Sequence, residues 1–91
     1  MYAVGKVGGS VILKCSGEIT SWNYLRSSAK TVLLTTGTFI IYRRKYDLIN
    51  PNYNLRIKNL NMNDAGRYVC GTGRNVRVDK VSELIVLGKD I

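Results

Sequence analysis

The order of two cysteines, one tryptophan and one tyrosine constrains the fold of this chain most strongly. Cys15 ends an alternating segment, Trp22 follows it, and a second cysteine closes the stretch Asp64-Ala65-Gly66-Arg67-Tyr68-Val69-Cys70. The two cysteines are 55 positions apart and the chain has no His, so the close spacing of a metal site is missing. One long-range bridge fits instead, and closing a loop of that length stabilises a fold by roughly 4 kcal/mol.

The order Cys…Trp…Asp-x-Gly-x-Tyr-x-Cys resembles that of the immunoglobulin superfamily. The resemblance covers about residues 4–88, nearly the whole chain. It implies that Cys15 and Cys70 form a disulfide between two sheets and that Trp22 packs on it. It also implies that Tyr68 anchors a corner through its hydroxyl group.

Asp64 has two readings. The resemblance implies that it supports the corner before strand F and forms a salt bridge with a basic residue entering strand D, either Arg44 or Lys45. The alternative is that Asp64 is a ligand or a catalytic acid. No second carboxylate is placed beside it by the sequence, so the structural role is favoured.

Short alternating runs separated by Gly, Asn and Ser predict an all-β sandwich. Strand B is expected at Val11–Cys15 with odd positions inward, and strand F has Tyr68 and Cys70 inward. In strand G, the alternation changes phase near Asp79-Lys80, which predicts a β-bulge. The other expected strands are a leading strand at Val4–Val7, C from Trp22, C′ at Thr31–Thr36, C″ at Thr38–Tyr42, D at Tyr46–Ile49 and E around Leu55–Ile57.

Two strand-like runs between Trp22 and Tyr46 favour a variable-type domain, because a constant-type domain lacks room for both. The ending Leu84-Ile85-Val86-Leu87 is similar to the last strand of antigen-receptor variable domains. The chain departs from those domains in lacking their Phe-Gly-x-Gly bulge and in its short B–C loop at 16–20. The expected fold is one immunoglobulin-like, variable-type β-sandwich over 1–91, with two antiparallel sheets, one inter-sheet disulfide and a core at about 4–88. An invariant receptor or adhesion domain is favoured over a diversified antibody domain.

The resemblance also implies a binding face. In variable-type domains the sheet that contains strands C, C′, F and G often pairs with a partner domain. The corresponding outward positions are Asn23, Leu25, Leu33 and Val69, with Lys30 and Thr31 near the rim. An outward patch of Leu25, Leu33 and Val69 would call for a partner, such as a second copy or another immunoglobulin-type domain. The alternative is that these are scattered surface aliphatics, which are common.

The F–G hairpin supplies a second set of binding candidates: Arg74, Asn75 and Arg77. Arginine can donate two hydrogen bonds to a carboxylate or sulfate. The alternative is a solvated hairpin tip, in which Asn75 tolerates the positive φ of a tight turn.

The charge balance favours acidic partners. The chain has 14 Lys and Arg against 6 Asp and Glu, a net charge of +8. A polyanionic glycan or an acidic protein surface would fit this charge, although solubility alone would also explain it. Nucleic acid is not expected, because no recognition motif is present.

No enzyme, metal or cofactor is expected. The carboxylates are scattered, no His can act as a general base, and no Gly-rich phosphate loop opens a helix. A disulfide implies an oxidising compartment, so we expect an extracellular domain, secreted or on the cell surface. We also expect the chain to be one domain of a longer mature protein, whose anchor lies elsewhere, because its apolar runs are too short to enter a membrane. The two functional hypotheses are a protein-recognition module that pairs through its C-C′-F-G face and a soluble domain that binds polyanionic glycan or a microbial surface.

Overall fold

Nine β-strands and one short 3₁₀ helix form the regular structure of the described residues. The computed structural model describes residues 2–15, 21–27, 30–49, 53–72 and 75–88, with the backbone alone for 27, 72 and 75–80. The strands are β1 Tyr2–Lys6, β2 Val11–Leu13, β3 Ser21–Ser27, β4 Lys30–Thr36, β5 Phe39–Ile40, β6 Tyr46–Ile49, β7 Asn54–Ile57, β8 Gly66–Thr72 and β9 Asn75–Leu87; the 3₁₀ helix is Met62–Asp64. The predicted B–C loop at 16–20 lies outside the described residues.

The strands form two sheets that pack face to face. The larger sheet has the order β1-β9-β8-β3-β4-β5, and the smaller has the order β2-β7-β6. Neighbouring strands run antiparallel except β1, which pairs with β9 in parallel. The two strands β4 and β5 between β3 and β6 are the pair expected of the variable type, so the all-β, variable-type sandwich is confirmed.

The hydrophobic core lies between the two sheets and surrounds the predicted disulfide. Cys15 and Cys70 are bonded, which joins the end of β2 to β8 and confirms the predicted bridge. Trp22 is fully buried and lies directly across from Cys70 in the pairing of β3 with β8. The other buried hydrophobic members of the core are Leu13, Leu34, Tyr46, Leu55, Ile57, Leu60, Tyr68, Leu84 and Val86.

Three predicted strands differ from the observed ones by two residues or more at one end. Strand B, predicted at Val11–Cys15, is β2 at Val11–Leu13. The predicted strand Thr38–Tyr42 is only Phe39–Ile40, because the chain must leave the larger sheet to enter β6. A tight turn makes this crossing, in which the amides of Lys45 and Tyr46 both donate to the Tyr42 carbonyl. The leading strand predicted at Val4–Val7 is Tyr2–Lys6, since a turn begins at Val7.

Strand β9 contains the irregularity that the sequence predicted. Val69 pairs with Val81, and Gly71 pairs with Val76, so the one residue of β8 between these pairs lies opposite four residues of β9. The extra length falls at the predicted place around Asp79-Lys80, but it exceeds the single residue of a simple bulge. After the irregularity, Leu84 and Val86 point into the core, as their alternation predicted.

Candidate functional site

The candidate site is the outer face of the larger sheet, and buried residues on the inner face fix which side chains reach it. Trp22 and Cys70 point into the core, so their neighbours Asn23 and Val69 point outward. The backbone amide of Trp22 donates to Thr35 Oγ1 at 3.1 Å, and its indole Nε1 donates to the Tyr53 carbonyl at 2.9 Å. These bonds hold the phase of β3 and therefore the phase of the outer face.

The corner before β8 holds that strand in place. The Tyr68 hydroxyl donates to the Asp64 carbonyl at 2.6 Å, which is the corner bond expected from the sequence. Burial, reinforced by Tyr46 and Asp64, raises the pKa of the Tyr68 hydroxyl above its usual range. The Tyr68 hydroxyl therefore stays protonated and remains a hydrogen-bond donor at every physiological pH.

Asp64 is a structural residue of this corner. Its carboxylate accepts from Lys45 Nζ at 2.5 Å and from the backbone amide of Asn61 at 2.9 Å. Of the two cations that the sequence offered, the partner is Lys45, and Arg44 is exposed. Lys45 Nζ also donates to the Asn59 carbonyl at 2.9 Å, so each member of the ion pair has a further hydrogen bond to the backbone.

The backbone conformation at Gly66 and the closeness of Tyr24 explain why a glycine stands two positions after Asp64. Its φ is +137°, a region that residues with a Cβ rarely adopt, and a Cβ there would lie 2.8 Å from the Tyr24 hydroxyl oxygen. That hydroxyl donates to the Ala65 carbonyl at 2.8 Å, and the Tyr24 ring contacts Tyr68 edge-on at 5.0 Å between centroids. The glycine thus lets β8 start close against β3.

The predicted face residues form one row across four strands. Leu33 pairs with Asn23, Asn23 pairs with Val69, and Val69 pairs with Val81. A register shift opposite Trp22 and Asn23 leaves Leu34 as the extra residue of β4. Leu34 and Thr35 are therefore both buried while Leu33 points outward, 40% exposed.

Two of the predicted face residues are buried, which corrects the expected patch. Asn23 is 6% exposed and Val69 is 3% exposed, although neither belongs to the core between the sheets. Both lie on the central strands of a six-stranded sheet, where cross-strand neighbours stand about 4.5–5.5 Å away on each side. Leu25 is half-buried. Of the expected patch, Asn23 and Val69 are therefore buried, and Leu33 is exposed beside them.

Other exposed apolar side chains lie on the same outer face. Their alternation with inward neighbours places them there: Ala3 and Leu84 point inward, for example, so Val4 and Ile85 point outward. The set is Tyr2, Val4, Leu33, Phe39, Ile85 and Leu87, each at least 40% exposed. We call these six residues, together with Asn23, Leu25 and Val69, the pairing face. The strand alternation around Leu84 and Val86 could have identified Ile85 and Leu87 from sequence.

The remaining predicted residues belong to β4 and to the hairpin between β8 and β9. Lys30 and Thr31 are exposed in β4, as the rim position requires. Arg74 lies outside the described residues, and the side chains of Asn75 and Arg77 do as well. Thr72 pairs with Asn75, so β8 and β9 form the predicted F–G hairpin.

The residues that the structure describes contain no group of three or more His, Cys, Asp or Glu that could hold a metal ion. Among the same residues, no helix is long and apolar enough to cross a membrane.

Comparison with solved structures identifies the fold. The second immunoglobulin domain of the mouse polymeric immunoglobulin receptor superposes with a TM-score of 0.76 at 21% identity, covering 98% of this chain and 97% of that one. The extracellular domain of the voltage-gated sodium channel beta4 subunit, described as parallel homodimers that explain its role in cell-cell adhesion, gives 0.72 at 21% identity, covering 98% and 86%. The first immunoglobulin domain of RIG-5, described as a homodimer, gives 0.68 at 22% identity, covering 94% and 89%.

No protein-family model matches the sequence, and no curated protein matches it either. The sheet order, the disulfide and the structural neighbours together show an immunoglobulin-like fold of the variable type.

Proposed function

We propose that this chain is a non-enzymatic extracellular recognition or adhesion domain that pairs through its pairing face, with a second copy or with another immunoglobulin-type domain. The observation that carries the proposal is the exposure of six apolar side chains on one face of one sheet. The structural neighbours described as homodimers support pairing as the kind of activity to test. The disulfide supports an extracellular location.

The pairing face presents apolar side chains that a partner domain could bury. A stable interface buries about 800 Å² on each partner, and each aliphatic side chain that becomes fully buried stabilises it by about 1.5–3 kcal/mol. Arg67 and Glu83 lie on the same face and approach to 3.9 Å. Because both are exposed, they are free to exchange partners across a two-fold axis, which would give the rim complementary charges.

Leu33→Glu is the variant that tests the pairing face. We expect it to weaken pairing at least about tenfold, because it leaves a charge buried without a partner in the contact. Ile12→Glu is the matched control, since Ile12 is 39% exposed and lies on the smaller sheet. Equilibrium sedimentation of the parent and both variants decides the matter. Equal loss in both variants would place the contact elsewhere.

Salt concentration separates self-pairing from pairing with an acidic partner. Two copies each carry a net charge of +8 and repel one another, so added salt should strengthen a homodimer. Contact with an acidic domain should instead weaken with salt. A parent that stays monomeric at every salt concentration would exclude the homodimer and leave the partner as a different domain.

Charge-driven binding of an acidic glycan is the second candidate function. A basic cluster at the edge of the smaller sheet favours it: Lys58 Nζ donates to the Arg43 carbonyl at 3.1 Å, and Arg44 is exposed beside it. Asp47, at 3.3 Å from Lys58 Nζ, offsets part of this charge. Heparin binding that is lost in Arg43→Gln/Arg44→Gln but kept in Leu33→Glu would support this function over pairing.

A further inference from the structure

An aromatic cleft opens between the two sheets, away from the pairing face. It has a volume of about 560 Å³ and lies where the chain crosses from β5 to β6. The rings of Tyr24, Tyr42 and Tyr46 line it, and Val32 and Leu34 contribute aliphatic surface. We call this the tyrosine cleft. Its size falls within the range of about 300–1,000 Å³ that small-molecule sites occupy.

The aromatic lining suits a flat ligand. Tyr42 is 50% exposed and meets Tyr46 edge-on, with 6.3 Å between ring centroids. A half-exposed ring at the mouth of a cleft offers a surface on which another ring can stack, worth about 0.5–1.5 kcal/mol beyond area burial. Tyr24 contributes its ring alone, because its hydroxyl already donates to the Ala65 carbonyl.

The polar side chains of the tyrosine cleft can all donate hydrogen bonds. Arg26 and Asn63 line it together with the tyrosines, and both are exposed. Within the part of the chain that the structure describes, the Tyr42 and Tyr46 hydroxyls have no hydrogen-bond partner. Burial, with a contribution from the Asp64 carboxylate, raises the pKa of Tyr46 to about 12, so its hydroxyl stays protonated at neutral pH.

Charge decides between the two ligand classes that tyrosine rings can bind. Such rings also cage quaternary ammonium groups. Here, however, Arg26 lines the cleft and none of the carboxylates that the structure describes does. The nearby Asp64 is neutralised by Lys45 at 2.5 Å. The net charge of +8 adds to the repulsion of a cation.

We propose that the tyrosine cleft binds a small planar anion, an aromatic carboxylate or sulfonate, with its ring against Tyr42 and its charge on Arg26. The guanidinium group can donate two parallel hydrogen bonds to either acid group. This site is separate from the pairing face, which lies on the outer side of the larger sheet. Occupancy of the cleft therefore does not require pairing, and pairing does not require occupancy.

Two probes of the same shape and opposite charge test the proposal. Naphthalenesulfonate is the anionic probe and naphthyltrimethylammonium is the cationic one, each titrated up to about 10 mM while backbone amide shifts are followed by NMR. We expect the sulfonate to move the amides of Tyr24, Arg26 and Tyr42, and the cation to bind at least about fivefold more weakly. Equal binding of both probes, no binding of the sulfonate, or shifts confined to another surface would overturn the proposal.

Matched variants test the assigned contacts. Arg26→Gln should weaken sulfonate binding about five- to tenfold, whereas Arg56→Gln on the smaller sheet removes the same charge and should leave it within about twofold. Tyr42→Ala should weaken it about three- to tenfold, and Tyr42→Phe should keep most of the affinity because the ring remains. If Arg26→Gln and Arg56→Gln lose affinity equally, general attraction to a basic protein explains the binding and the site is wrong.

Discussion

The corner around Asp64 and the pairing face differ in how far their side chains find partners within the chain. At the corner, each strong polar group has a partner within the chain: Asp64 binds Lys45 and the Asn61 amide, and Tyr68 binds the Asp64 carbonyl. On the pairing face, side chains such as Leu33 and Phe39 remain 40% and 59% exposed. A closed network stabilises the fold, whereas an open apolar surface is available to a partner. The difference predicts that variants at the corner change stability and variants on the face change association.

Removing the disulfide tests the structural side of this comparison with the largest expected effect. Cys15→Ala/Cys70→Ala should lower the free energy of unfolding by about 3–5 kcal/mol, because the bridge closes a long loop in the unfolded chain. Urea unfolding of the parent and the variant, with the reduced parent as a control, measures the loss. Equal urea midpoints would show that the bridge adds nothing to stability.

The same charge introduced at Val69 or at Leu33 compares a buried with an exposed position of the pairing face. Val69→Glu should lower the free energy of unfolding by about 3 kcal/mol or more, because it places a charge at a site that is 3% exposed. Leu33→Glu should cost under about 1 kcal/mol, since Leu33 is 40% exposed. Thermal unfolding of dilute samples compares the two. Similar costs for the two variants would mean that Val69 is not more buried than Leu33.

Removing the hydroxyl oxygen from either of two buried tyrosines, Tyr68 or Tyr46, tests the corner. Tyr68→Phe removes the hydrogen bond to the Asp64 carbonyl and should cost about 1–3 kcal/mol. Tyr46→Phe should cost under about 0.5 kcal/mol, because its hydroxyl has no partner within the described residues. Urea midpoints at neutral pH give both values. A larger cost for Tyr46→Phe would contradict the assignment of the corner anchor.

Alkaline titration tests the same two buried tyrosines without a substitution. Burial raises the pKa of Tyr46 to about 12 and that of Tyr68 further still, so the fold favours their neutral forms. The stability that this gives is complete below the ordinary tyrosine pKa of about 10 and is lost as the pH rises through about 12. Absorbance at the phenolate band should show that Tyr46 and Tyr68 ionise only well above about pH 10. Their ionisation near about pH 10 in a domain that stays folded would contradict the raised pKa values.

Residues that belong to a recognisable motif could be assigned from the sequence. The Cys15–Cys70 bridge, the burial of Trp22 and the Tyr68 corner were all implied by the resemblance of that motif to the immunoglobulin superfamily. Alternation around Trp22 and Cys70 predicted the outward direction of Asn23 and Val69, whereas the outward direction of Leu33 was predicted only from the resemblance to paired variable domains.

The tertiary structure alone decided which outward residues are exposed. Asn23 and Val69 point away from the core but are covered by neighbouring strands, and the sequence pattern does not specify how many strands flank each one. It also selected Lys45 over Arg44 as the partner of Asp64. The tyrosine cleft was not visible in the sequence, because Tyr24, Tyr42 and Tyr46 come together only where the chain passes from one sheet to the other. Burial and cavities depend on contacts between distant segments, whereas alternation and motifs are properties of each segment alone.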